Sequence, residues 1–76
     1  MNKIRVIIDT QSDVVEFVNI ANSYPDNVPI YLEDGTGFRA DAKSLLGVMY
    51  GMYEFKELYV LSDFEHLPTK FNKYII

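Results

Sequence analysis

The chain has 76 residues, 11 acidic against seven basic, no cysteine, and 49% hydrophobic residues that include six Tyr and five Phe. This length admits one domain, and without disulfides or thiolate metal sites an apolar core must hold it together. A net charge of −4 with scattered Lys and Arg argues against nucleic acid as the main partner, and no apolar run approaches the roughly 20 residues of a membrane helix.

Absence of cysteine fits a reducing cytoplasm. Met1-Asn2-Lys3 leads to an apolar run of four or five residues, too short for a signal peptide. A basic protein surface is a better electrostatic match than an acidic one.

Lys3–Asp9 reads as a strand, because Ile4, Val6 and Ile8 alternate with Lys3, Arg5 and Ile7. Thr10 or Ser12 caps a helix with Asp13 and Glu16 in its first turn, at the positive end of the helix dipole. Val14, Phe17, Val18 and Ala21 follow helical spacing, Tyr24 continues it, and Pro25-Asp26-Asn27 ends it. Val28–Glu33 is a second strand, with Pro29 at its start or on an edge. Asp34-Gly35 signals a hairpin turn, and Gly37–Asp41 returns as a short third strand.

Lys43-Ser44 opens a second helix, with Ser44 as N-cap. Behind it, Leu45, Leu46, Val48, Met49 and Met52 are too many apolar residues for one narrow stripe, so this helix is either deeply buried or presents an apolar patch outward. Gly47 and Gly51 share one face and allow a close approach to a neighbour, at a cost of about 1 kcal/mol each in helix propensity relative to Ala. After a connection over Glu54–Glu57, Leu58–Leu61 is a nearly all-apolar strand interior to the sheet. A last helix begins near Pro68, with Leu67, Phe71, Tyr74 and Ile75 on one face. The order is βαββαβα, for which an antiparallel sheet with helices on one face is the natural architecture.

Ala-Asp-Ala-Lys-Ser-Leu-Leu-Gly-Val-Met, Ala40–Met49, resembles the segment around the regulatory serine of HPr, the small phosphocarrier of the bacterial sugar phosphotransferase system. Phe17–Asn22 also resembles the middle of that family's first helix, and the similarity covers about Lys3–Leu61. The resemblance implies an HPr-like open-faced β-sandwich, an α+β fold spanning residues 1–76 as a single domain. Where the family carries Gly-x-His-Ala-Arg-Pro, this chain reads Asp9-Thr10-Gln11-Ser12-Asp13. Thr10 stands at the place of the phosphoacceptor histidine, Ser12 at that of the arginine and Asp13 at that of the proline. Phosphohistidine transfer needs an imidazole nitrogen as nucleophile and leaving group, and Asp9, Asp13 and Glu16 repel a phosphate held there. His66, the only imidazole, follows the fourth strand, at the opposite end in the family's topology, and reads as an ordinary residue near a helix start.

In some bacteria a kinase phosphorylates the family's serine, and the product acts as a corepressor. By the resemblance Ser44 is a candidate for regulatory phosphorylation, and by its residue type it is a helix cap. Leu45, Leu46 and Met49 match positions through which HPr meets its partners; their other reading is ordinary core. Tyr50, Tyr53 and Phe55 are unlike the family and either extend that patch or cover the core. Carboxylate pairs at Glu33-Asp34 and Asp9/Asp13 fit turn and cap roles. No phosphate-binding glycine loop and no metal-ligand set is present, so no catalytic residue or cofactor is expected. The expected function is a cytoplasmic regulatory or protein-binding domain acting through the second helix, without nucleic acid or membrane. The rivals are a divergent phosphocarrier using Thr10 or Ser12, and a self-associating structural module. The partner, pathway and oligomeric state are not written in the sequence.

Overall fold

The computed structural model describes residues 2–63 and 70–76. In chain order these form β1 (Asn2–Val6), α1 (Gln11–Asn22), β2 (Tyr31–Glu33), β3 (Arg39–Asp41), α2 (Leu45–Glu54), β4 (Leu58–Ser62) and a single 3-10 turn, Asn72–Tyr74. The four strands make one antiparallel sheet in the order β1-β4-β2-β3. This is a small α+β fold, compatible with an open-faced sandwich.

The register fixes which side chains share a face. Ile4, Val60, Leu32 and Ala40 lie in one row across the sheet, and with Val6 and Leu58 they point toward the helices. Leu32 and Val60 are fully buried there with Phe17, Ala21 and Val48 from both helices. The other face carries Lys3 and Arg5 from β1, Tyr59 and Leu61 from β4, Tyr31 and Glu33 from β2, and Arg39 from β3. Glu33 is 4% exposed, yet its carboxylate meets Lys3 Nζ at 2.8 Å and Arg39 Nε at 3.5 Å. That burial is sustained because two cations compensate one acid.

β1, β2 and β3 are shorter than the sequence alone predicts, for local reasons, while β4 runs one residue further, to Ser62. β1 stops at Val6 because its β4 partner begins at Leu58. Beyond that point the Ile7 N–H donates to Tyr74 O at 2.9 Å, and Val6 bridges Ile75. The C-terminal segment therefore covers the outer edge of β1. β2 starts at Tyr31, after Pro29, which has no N–H to give a ladder. β3 starts at Arg39 because Gly35 and Gly37, at φ +91° and +107°, belong to the turn. β4 is central, as expected, and Ser62 Oγ ties its end to Pro29 O at 3.0 Å.

Phe71 and Tyr74 pack on α1: the Phe17 and Phe71 rings lie 4.6 Å apart and Phe17 and Tyr74 5.5 Å. The expected start of a last helix at Pro68, together with Leu67 and His66, lies outside the described residues. What is described there is the 3-10 turn, whose Tyr74 hydroxyl donates to Glu16 Oε1 at 2.6 Å.

Candidate functional site

α1 begins at Thr10, whose extended backbone (φ −126°, ψ 164°) leaves its side chain free to cap. Thr10 Oγ1 accepts from the Asp13 N–H at 3.1 Å. In return, Asp13 Oδ2 accepts from the backbone N–H groups of Asp9 and Thr10, both at 3.2 Å. This reciprocal capping box commits the Thr10 hydroxyl and sets a carboxylate at the entrance to the helix, where the dipole favours an anion. Ser12, in the first turn, is exposed. A groove of about 260 Å³ beside them is lined by Asp9, Asp13, Lys73, Tyr74 and Ile76. Its basic group, Lys73, is paired with Glu16 at 2.8 Å. The chemistry collected at the start of α1 is thus acidic and internally bonded.

α2 is positioned from its first residue. Ser44 is its N-cap, and Ser44 Oγ accepts from the Gly47 N–H at 3.2 Å. Asp41 Oδ1 accepts from Lys43 N at 2.9 Å, folding the chain from β3 into the helix. Asn22 Nδ2 donates to Lys43 O at 3.0 Å, joining the end of α1 to the start of α2. The two glycines seat the helix: a Cβ at Gly47 would stand 2.6 Å from Asp41 O, and one at Gly51 would stand 2.6 Å from Leu32 Cδ2. With Val48 and Gly51 pressed on the sheet side, 100° per residue turns Leu46, Tyr50 and Tyr53 away from it. They are 78%, 51% and 64% exposed. Leu45 flanks them and is exposed, while Met49 is half-buried and packs against the core. Of the three residues expected to meet a partner, Leu45 and Leu46 therefore face outward and Met49 does so in part.

Two further contacts enlarge this surface. Gln11 Nε2 donates to Tyr53 Oη at 3.5 Å, so the start of α1 borders the end of α2. Phe38, in the β2–β3 turn, joins Tyr50 and Phe55 in a ring cluster with centroids 5.8–6.2 Å apart. The two sequence alternatives for the aromatic residues are both partly realised: Phe55 packs against the core, and Tyr50 and Tyr53 extend the outward patch. Phe38 belongs to it as well, although no spacing in the sequence ties a turn residue to a helix. Asp34 forms a turn, accepting from Thr36 N and Oγ1 at 2.7 Å each; these bonds hold its carboxyl below the usual range.

Among the described residues no group of three or more His, Cys, Asp or Glu could hold a metal, and no helix is long and apolar enough to cross a membrane. No family model, curated protein or solved structure matches the chain.

Proposed function

We propose that the chain is an HPr-like regulatory domain of the cytoplasm, related to the sugar phosphotransferase system, that has lost phosphohistidine transfer and docks a protein partner through α2. The observation that carries this reading is the outer face of α2. Leu45, Leu46, Tyr50 and Tyr53 stand exposed on a helix with no charged residue before Glu54. Charge depletion with aromatic enrichment is the composition of a protein-interface core. The start of α1 supports the loss of transfer: Thr10 and Asp13 bond each other, and their carboxylate disfavours a second anion. The domain is read as a non-enzyme, with no cofactor.

Ser44 lies at the edge of the docking face and is the proposed point of control. A phosphoryl group there would add charge beside Leu45 and Leu46 and at the N-terminus of α2, a position the dipole favours. The test is intact mass after incubation with HPr kinase and ATP, with Ser44→Ala alongside. An acid-stable gain lost in Ser44→Ala supports a serine switch. No gain removes the switch and leaves docking to stand on the α2 face.

A further inference from the structure

The charge-free area is wider than α2 alone. Beside it, α1 presents Gln11, Val15, Asn19 and Asn22, all exposed and spaced at i, i+4, i+8 and i+11 along one face. Gln11 meets Tyr53 and Asn22 meets Lys43 O, which fixes this face against α2 with the helices antiparallel. In a chain that is 24% charged, two adjacent helix faces carry no charge. A face that meets its own copy across a two-fold axis has to avoid charges near that axis, since each would oppose itself.

The charges at the ends of α2 say more. Lys43 stands before the N-cap and Glu54 is the last helical residue. Each has the sign that its own end of the helix disfavours, and α2 has no acid in its first turn and no base in its last. Lys56, just beyond the cap, is among the residues that line the groove toward β1 with Arg5 and Asp9. Among the described residues, Lys43 Nζ donates to Pro25 O at 2.9 Å. A second α2 laid antiparallel would reverse both mismatches: Lys43 would meet the negative end and Glu54 of the other copy, and Glu54 its positive end and Lys43.

We propose that two copies of the chain pair about a two-fold axis through this face, α2 antiparallel to α2, with Leu46 and Tyr53 at the contact and Lys43 opposite Glu54 at each end. The inference rests on α2 being the docking face and names a second copy as an occupant. Pairing would then compete with any other protein that uses the same surface.

The test is sedimentation of the whole chain over a concentration series, up to about 1 mM, the range in which even weak association is visible. The wild type is expected to move from one-chain toward two-chain mass. Leu46→Glu is expected to weaken pairing at least about 100-fold. Lys43→Glu and Glu54→Lys should each weaken it roughly tenfold, and the double exchange should restore it. Both single exchanges favour the dipole of their own helix, so circular dichroism should show them folded. A wild type that stays at one-chain mass throughout overturns the pairing and leaves the docking reading intact. A dimer that Leu46→Glu leaves unchanged forms through another face and overturns pairing through α2. A dimer lost in Leu46→Glu but indifferent to the exchanges overturns the antiparallel arrangement.

Discussion

The outward patch exists because α2 is seated closely, and the two glycines allow the cause to be measured. Gly47→Ala and Gly51→Ala bring the same gain in helix propensity, about 1 kcal/mol. They differ in what the new methyl meets. At Gly47 it would stand 2.6 Å from Asp41 O, a backbone atom that already accepts from Ser44 N at 3.1 Å. At Gly51 the nearest atom, also at 2.6 Å, is Leu32 Cδ2, the end of a side chain, with the Phe55 ring at 3.2 Å. A side-chain tip rotates; a carbonyl that holds the turn into α2 does not. Overpacking costs about 1–3 kcal/mol, so Gly47→Ala should carry the upper part of that range and Gly51→Ala the lower. The net expectation is a loss of about 1–2 kcal/mol for Gly47→Ala and a change of less than about 1 kcal/mol for Gly51→Ala. Urea unfolding measures the difference directly, and in a domain this small each kcal/mol moves Tm by roughly 4–8 °C. A Gly47→Ala protein as stable as the wild type, or more stable than Gly51→Ala, would refute the close seating of α2 on β3.

Three further predictions concern the start of α1 and the C-terminal turn. Asp13→Ala removes the acceptor for the Asp9 and Thr10 N–H groups and should cost about 1 kcal/mol in urea unfolding. Lys73 and then the Tyr74 hydroxyl hold the Glu16 carboxyl below its ordinary value of 4.5. The unfolded chain therefore binds more protons, and the stability this adds is present above that value and lost as pH falls through the folded one; in an acid titration Glu16→Gln should flatten that loss. Burial and the Glu16 carboxylate push the Tyr74 phenol well above its ordinary 10.0. Its contribution is present below pH 10 and lost as pH rises beyond it, so the stability of Tyr74→Phe should fall less than that of the wild type as pH rises above 10 in urea unfolding.

Local signals carried the elements well and their ends poorly. Ser44, Thr10 as one of the two caps offered with Ser12, and the helical spacing of Val14, Phe17, Val18 and Ala21 were legible because capping and periodicity are short-range. The lengths of β1, β2 and β3 were not, because a strand ends where its partner ends. β1 stops opposite Leu58, and its continuation pairs with Tyr74 and Ile75 from the other end of the chain. The tension between core and patch in α2 could be resolved only by knowing which face the glycines present. Gly51 against Leu32 and Gly47 against Asp41 decide it, and Leu46 and Tyr53 turn outward as a consequence. Phe38 was illegible as a site residue because it reaches Tyr50 and Phe55 across a turn. Glu33 read as the end of the second strand, paired with Asp34 at a turn; its burial beneath Lys3 and Arg39 depends on cross-strand register, which no local pattern specifies.

We propose docking through α2 without phosphohistidine transfer, and exposure to enzyme I tests that reading. The purified chain is incubated with enzyme I and phosphoenolpyruvate, and its intact mass is read before and after brief acid treatment. The account predicts no gain, since the Thr10 hydroxyl is held in its cap and Asp13 sets a carboxylate where a phosphoryl group would have to arrive. A gain of one phosphoryl group, acid-labile as on a nitrogen or acid-stable as on Thr10 or Ser12, would contradict it and make the chain a working phosphocarrier.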